Sequence, residues 1–213
     1  MVSEKQEQKV NGRDEILGKL RRIQRQSVEL PRVPLFDEHL PSPYTQFQAA
    51  LAQMGGIWQE PPENGDLESM IRAWFPDLMV LCSAVPEVTG TRRVETVLHP
   101  HDLNDVDVGV VRAGFAVAET GSIWLSEAQY HINALGYLSQ HLIVLLDPRD
   151  IIGNLHHAYH RREFHEARYA VLMSGPSATA DIQGVLIHGA QGIRSLTVVP
   201  IAQSAAKLGT GQP

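Results

Sequence analysis

The chain has 213 residues, is 43% hydrophobic and carries a formal net charge of −6, which fits one globular domain with an appended arm and disfavours nucleic acid as a main partner. No apolar run approaches the roughly 20 residues that span a bilayer, and no signal-peptide pattern is visible, so we expect a cytoplasmic protein without a membrane span. The single cysteine, Cys82, excludes a self-contained four-cysteine zinc or iron–sulfur site, so we expect this chain to carry no such cofactor.

Residues 1–43 are predicted to form an N-terminal helix and a proline-rich arm. Ile16, Leu20 and Ile23 have helical spacing, and four prolines between residues 29 and 44 exclude a continuous helix there. Residues 1–32 hold eight Lys and Arg against five Asp and Glu, a formal charge of +3 that leaves −9 for the remainder. The basic arm is either a solvated helix face or a docking element for an acidic partner or a neighbouring subunit, which leaves a homo-oligomer open.

The main body is predicted over residues 44–204, followed by a flexible tail over 205–213. Continuous apolar strands alternate with helices, a pattern typical of an α/β fold with a largely parallel sheet in three layers. The predicted helices are 45–56, 66–75, 132–140, 147–166 and 179–187; the predicted strands are 77–83, 141–147, 168–175 and 194–201. Residues 105–127 predict packed strands with a short helical turn near 110–115 and a hairpin turn at Thr120 and Gly121.

Histidines crowd the predicted helix over residues 147–166. His156 and His160 are four residues apart, so both could face one metal ion. The pattern lacks the carboxylate of H-E-x-x-H, and Arg161 and Arg162 adjoin. A polar helix end is the favoured interpretation, and we predict no metal site.

The stretch "VAETGSIWL" (117–125) places Glu119 at the end of an apolar strand, directly before a Thr-Gly turn. A carboxylate at this point must reach solvent or lie in a cleft with partners. In a parallel α/β sheet the cleft is expected at the carboxyl ends of the strands. Glu119 is therefore either a turn residue in water or a candidate catalytic residue.

The stretch "LMSGPSATADIQG" (172–184) predicts a strand, a turn and the start of a helix. Ser177 or Thr179 can cap that helix, and Asp181 falls in its first turn, where a carboxylate is favourable. Unpaired N–H groups at a helix N-terminus, with hydroxyl donors beside them, bind phosphates and carboxylates. The alternative is an ordinary loop with good capping residues.

Three segments together resemble the LUD-domain family, specifically its lactate-utilization protein C group: "AETGS" (118–122), "LSQHLIVLLD" (138–147) and "SGPSATADIQGVLIHGAQG" (174–192). The resemblance covers roughly residues 45–201. It implies a three-layer α/β fold similar to the sugar-phosphate isomerase and CoA-transferase superfamily. It also implies participation in the oxidation of L-lactate to pyruvate beside partner proteins that carry iron–sulfur clusters.

This resemblance favours an accessory or ligand-binding subunit whose pocket holds a small carboxylate or a phosphorylated ligand. Two alternatives stay open: a stand-alone CoA-transferase- or isomerase-like enzyme that uses Glu119 as nucleophile or base, and a non-catalytic scaffold. The sequence does not decide whether the chain is an enzyme. The expected ligand-binding residues are Glu119, Thr120, Gly121, Ser174, Gly175, Ser177, Thr179 and Asp181.

The chain departs from the family pattern at three positions. Ala178 stands where the family usually has a basic residue, and Gln191 and Ile193 stand where it usually has the His and Pro of Gly-x-His-Gly-Pro. A cation and an imidazole are therefore missing from the expected site.

Overall fold

The computed structural model describes residues 12–23, 29–38, 40–182, 185–188 and 191–203, and the chain divides into two units, residues 1–34 and 35–213. In the first unit, helix α1 spans Gly12–Arg22, with acidic residues in its first turn and basic residues in its last, as the helix dipole favours. The spacing of Ile16, Leu20 and Ile23 predicts a helix over residues 13–26; residues 13–22 are helical, residue 23 forms a turn, and residues 24–26 lie outside the described residues. The predicted domain boundary at 43/44 stays a prediction, and the tail over 205–213 lies outside the described residues.

The second unit contains the remaining helices and all the described strands. The helices are α2 (Pro43–Gln53), α3 (Leu67–Trp74), α4 (Glu127–Tyr130), α5 (Leu135–Leu138), α6 (Leu155–Tyr159) and α7 (Arg162–Glu166). The strands are β1 (Ile57–Trp58), β2 (Leu81–Ser83), β3 (Arg92–Arg93), β4 (Val108–Arg112), β5 (Phe115–Val117), β6 (Ser122–Ser126), β7 (His141–Leu146), β8 (Ile151–Ile152), β9 (Ala170–Met173), β10 (Ala178–Ile182), β11 (Val185–His188) and β12 (Ser195–Pro200).

A six-stranded sheet in the order β1-β12-β7-β4-β2-β3 forms the centre of this unit, and every pair of neighbouring strands in it is parallel. Strand β7 shows that this sheet is buried on both faces. Leu142, Val144 and Leu146 pack into one core cluster, whereas Ile143 and Leu145 pack into the other. The predicted α/β fold with a largely parallel sheet is therefore confirmed.

Different elements cover the two faces of the six-stranded sheet. Helix α3 packs on one face through Leu67 and Ile71. The Asp66 side chain caps the N-terminus of this helix by accepting the Ser69 N–H at 3.0 Å. Helices α2 and α5 and a second, four-stranded sheet in the order β8-β5-β6-β9 contribute to the core on the other face. The outer face of this second sheet is covered by an aromatic stack that joins Phe115, Trp124 and Phe164.

Two predicted helical segments before residue 170 are wrong. Residues 110–115 lie mostly in β4 and β5, because Val110 and Val111 are β-branched residues buried between two parallel neighbours. The helix predicted over 147–166 is divided into a 3-10 turn at Pro148–Asp150, strand β8 and helices α6 and α7. Asp147 does cap the first of these, but Asn154 starts a new helix by accepting the His157 N–H at 3.1 Å.

Among the helices that the structure describes, none is long and apolar enough to cross a membrane. This finding agrees with the absence of a long apolar run in the sequence.

Candidate functional site

Helix α2 brings the two sequence-predicted turns together. A Cβ atom at Gly121 would lie 2.4 Å from the backbone nitrogen of Leu51, and one at Gly175 would lie 2.1 Å from the carbonyl oxygen of Met54. Both glycines have positive φ angles, +62° and +84°, which residues with a side chain rarely adopt. Leu51 lies in the last turn of α2 and Met54 is its C-cap residue, so both turns contact the C-terminal end of the same helix. Glycine is therefore required at both positions.

Three hydroxyl groups connect the two turns. Ser122 Oγ lies 2.6 Å from Thr120 Oγ1 and 2.6 Å from Ser174 Oγ. Thr120 lies in the turn between β5 and β6, Ser122 is the first residue of β6, and Ser174 directly follows β9, which pairs with β6. The antiparallel pairing of these strands thus places hydroxyls that are 52 residues apart within hydrogen-bond distance.

A cavity of about 270 Å³ opens beside the second turn. Two of the segments that line it are linked by a hydrogen bond, in which the Ser177 N–H donates to the carbonyl oxygen of Ile193 at 3.0 Å. None of the described residues that line it is charged, and its polar side chains are hydroxyls and one amide. The lining residues are Gly136, Tyr137, Met173, Ser174, Gly175, Pro176, Ser177, Gln191, Gly192 and Ile193.

Tyr137 is one of the residues that line this cavity. Its hydroxyl is hydrogen-bonded to that of Tyr169, the residue before β9. Burial raises the pKa of Tyr137, and the hydrogen bond with Tyr169 raises it further. The phenol therefore remains protonated at neutral pH and keeps its capacity to donate a hydrogen bond.

Glu119 has a different position. Its carboxylate is exposed and accepts the Leu155 N–H at 3.1 Å, at the start of α6. Its backbone N–H donates to the carbonyl oxygen of Gly153 at 3.0 Å. Glu119 is not among the described residues that line the cavity, so its observed contacts are those of a helix-capping side chain.

Thr179 and Asp181 lie on strand β10 and not in a helix, which corrects the prediction for residues 179–187. Strand β10 pairs antiparallel with β11, and Thr179 is in register with Ile187. The β-branched residues Thr179, Ile182, Val185 and Ile187 favour extended backbone over helix. The expected helix N-terminus after the turn is therefore absent from the described residues, and the anion site that depended on it is not formed in that way.

The sequence-predicted residues thus fall into three groups. Ser174, Gly175 and Ser177 line the cavity, whereas Thr120 and Gly121 support it from the neighbouring hairpin. Glu119, Thr179 and Asp181 are not among the described lining residues. Gly184 and Gly189 of the motif lie outside the described residues, as do Gln183 and Ala190.

Several residues of the site were not in the predicted set. Ser122 and Tyr137 were missed, although Ser122 lies within the quoted "AETGS" stretch and follows the hairpin glycine directly. Gln191 and Ile193 were noted only as departures from the family pattern, yet both line the cavity. Tyr137 gave no local signal, because tertiary packing alone places α5 beside the turn.

No group of three or more His, Cys, Asp or Glu side chains that could hold a metal ion occurs among the described residues. His157 instead lies 3.6 Å from the Asp37 carboxylate, and His156 packs on the ring of Phe36. Cys82 is buried in β2, and burial raises the pKa of its thiol to about 11. The thiol is therefore protonated and unreactive at neutral pH.

These features define an α/β protein with a parallel six-stranded sheet and a small, uncharged, hydroxyl-lined cavity. The family model of the LUD domain matches residues 94–201, just over half of the chain. The chain belongs to the LUD-domain family. Strands β4 to β12, the hairpin at Gly121 and the whole cavity fall within the matched residues.

Two known proteins are similar to this chain. An uncharacterized protein of Neisseria meningitidis serogroup B is 30% identical over 100 residues, which cover 46% of this chain and 43% of that protein. The matched segment thus spans less than half the length of this curated relative. The crystal structure of a DUF162 family protein from Deinococcus radiodurans matches with a TM-score of 0.53 and 16% identity, covering 75% of this chain and 96% of that one. At this identity the match shows the fold alone.

Proposed function

We propose that this chain is the accessory, ligand-binding component of an L-lactate utilization system of the protein C group. In this system, iron–sulfur partner proteins oxidise L-lactate to pyruvate, and this chain holds a small carboxylate in the cavity beside residues 174–177. Membership of the LUD-domain family supports the pathway. The hydrogen-bonded hydroxyls of Thr120, Ser122 and Ser174, which we call the hydroxyl chain, end at the cavity and support the choice of ligand.

The hydroxyl chain is suited to a carboxylate because one of its three hydroxyl protons is not used in a hydrogen bond within the chain. Thr120, Ser122 and Ser174 carry three hydroxyl protons, and the two hydrogen bonds between them use two. When Thr120 donates to Ser122 and Ser122 donates to Ser174, the Ser174 proton is free to point into the cavity. A bound carboxylate selects this direction, since its oxygens only accept hydrogen bonds.

The uncharged lining favours a monocarboxylate over a phosphorylated ligand. A phosphate group carries close to two charges near neutral pH and is generally bound by Arg, Lys or several backbone N–H groups. The described lining residues include no cation, and Ala178 replaces the basic residue of the family pattern. Lactate and pyruvate each carry one negative charge, on a carboxylate that can accept hydrogen bonds from the hydroxyls of Ser174, Ser177 and Tyr137.

In the proposed system, the iron–sulfur clusters are carried by the partner proteins. The only cysteine is buried, and its thiol pKa is raised, so this chain cannot supply a set of thiolate ligands for an iron–sulfur cluster. A single cysteine therefore fits a chain that works beside iron–sulfur partners.

The alternative enzyme that uses Glu119 as nucleophile or base has less support. The Glu119 carboxylate already accepts the Leu155 N–H and is not among the described lining residues. A nucleophile or base must reach the reacting atom of a bound substrate, and the described contacts of Glu119 hold it at the start of α6.

Isothermal titration calorimetry with L-lactate, pyruvate and inorganic phosphate tests the proposal. We expect the two monocarboxylates to bind and phosphate to bind at least tenfold more weakly. Ser174→Ala removes a hydrogen bond to a charged group, worth about 1.5–3 kcal/mol, so its Kd should rise about 10- to 100-fold.

Ser195→Ala is a matched control, because its hydroxyl is also bonded to a side chain, His141, at 2.7 Å but lies outside the cavity. Its affinity for L-lactate should be unchanged. If none of the three probes binds while the iron–sulfur partners still co-purify with the chain, the ligand-binding role is refuted and a structural subunit is favoured.

A further inference from the structure

A second concave surface, which the proposed function does not use, lies where the strands of the six-stranded sheet begin. It consists of two neighbouring cavities of about 420 and 390 Å³ that share Trp74, Phe75 and His141. Residues just before β7 and β12, and at their first positions, line it. We call this surface the amino-edge groove; its main lining residues are Ile57, Trp74, Phe75, Asp107, His141 and Arg194.

One half of the amino-edge groove is apolar. The aromatic side chains of Trp74 and Phe75 are half-buried, and Ile57 on edge strand β1 is 49% exposed. The His141 ring packs against that of Phe75 in a tilted arrangement, with a ring-centroid distance of 4.5 Å. Burial lowers the pKa of His141, and the charge of Arg194 lowers it further, so the imidazole is neutral near pH 7.

The other half of the groove carries more negative than positive charge. Asp77 and Asp107 line it, against a single arginine, Arg194, among the described lining residues. The Asp107 carboxylate is held in place because one of its oxygens accepts the Met79 and Val80 N–H groups, each at 2.8 Å. The groove therefore fits a ligand with an apolar surface and adjacent positive charge.

Helix α1 has this combination of properties. Ile16, Leu20 and Ile23 follow one another at i, i+4 and i+7 and are all exposed, and no residue of α1 is buried. Arg13 and Lys19, each three residues from Ile16 along the helix, flank this stripe on its two sides. An isolated helix of 11 residues is marginally stable in water, so a surface that covers the apolar stripe would stabilise it. The spacing is that of anchor residues in helix-in-groove recognition.

We propose that the amino-edge groove of one copy of this chain binds helix α1 of a second copy. The apolar stripe of α1 would cover Ile57 and Phe75, and the flanking Arg13 and Lys19 would face Asp77 and Asp107. A reciprocal exchange makes two identical contacts and closes a symmetric dimer. The proline-rich segment before α2 is a semi-rigid spacer, so it loses little entropy when the helix binds.

Sedimentation equilibrium over a range of protein concentrations tests this proposal. The wild-type chain should dimerise, and Leu20→Glu and Ile57→Glu should each raise the dimer dissociation constant at least tenfold. Leu98→Glu is the control, since Leu98 is 85% exposed and lies outside the groove; it should leave dimerisation unchanged. Circular dichroism of each variant verifies that it is folded.

A mixture of Leu20→Glu and Ile57→Glu tests whether helix α1 of one copy contacts the groove of another copy. The heterodimer of Leu20→Glu with Ile57→Glu keeps one intact contact, so the mixture should associate more strongly than either variant alone. A wild-type chain that is monomeric at every concentration, variants that dimerise like the wild type, or a mixture with no gain would each overturn the proposal. Binding of L-lactate does not enter these measurements, so they are independent of the proposed function.

Discussion

Replacing Gly175 with alanine adds a methyl group at the tightest contact of the candidate site. The added Cβ would lie 2.1 Å from the carbonyl oxygen of Met54, and the backbone φ angle is +84°. The left-handed conformation costs a residue with a side chain about 1–2 kcal/mol, and forcing a methyl group into a packed contact costs about 1–3 kcal/mol more. We therefore expect the free energy of unfolding to fall by about 2–5 kcal/mol.

Gly65→Ala is the matched control for this variant. Gly65 also has a positive φ angle, +72°, but no atom lies within 4 Å of its added Cβ. Only backbone strain remains, and we expect a loss of about 1–2 kcal/mol. Urea unfolding followed by circular dichroism measures both variants. If Gly175→Ala is no more destabilising than Gly65→Ala, the close packing of this turn on α2 is refuted.

Three further predictions concern individual side-chain hydrogen bonds. Ser122→Ala breaks the hydroxyl chain, so calorimetry should show weaker L-lactate binding, and urea unfolding should show a stability loss of about 1 kcal/mol. Glu119→Gln keeps an oxygen that can accept the Leu155 N–H, so it should change the L-lactate Kd less than twofold. The Arg149 guanidinium holds the pKa of Asp147 well below its usual range. Asp147→Asn should therefore cost about 1–2 kcal/mol at pH 7. This difference from the wild type should shrink as the pH falls below about 4, because the lowered pKa stabilises the fold only while the carboxylate is ionised.

Each of these predictions has an outcome that would contradict it. Unchanged L-lactate binding by Ser122→Ala would show that the hydroxyl chain does not position the Ser174 donor. A large loss of ligand binding or of a measured turnover in Glu119→Gln would favour the enzyme that uses this carboxylate. A stability difference for Asp147→Asn that is the same at pH 3 and pH 7 would show that its charge does not stabilise the fold.

The sequence was most informative where a segment is buried on both faces or has a clear cap. The continuous apolar run of β7 and the Asp66 cap of α3 predict those elements within a few residues. The Thr-Gly pair at 120–121 predicts the hairpin, because glycine at a positive φ angle is a strong turn signal. These features depend on neighbouring residues along the chain, so a single sequence is sufficient to find them.

The segment after the Ser-Gly-Pro-Ser turn shows where sequence reasoning failed. Thr179 and Asp181 suit the first turn of a helix, but Thr179 also suits a strand, and pairing with β11 decides between the two. Tyr137 could not have been assigned to the site either, since its approach depends on the packing of α5. Capping chemistry is local, whereas strand pairing and cavity walls are set by contacts between distant segments.

Backbone amide chemical shifts, measured by NMR during a titration with L-lactate, test the central claim most directly. We predict saturable shifts at the residues around the cavity, above all at Ser122, Tyr137, Ser174, Ser177 and Gln191. The same titration of Ser174→Ala should require at least tenfold more L-lactate. Absence of saturable shifts in the wild-type chain, or shifts confined to residues outside the cavity, would contradict the proposed binding site.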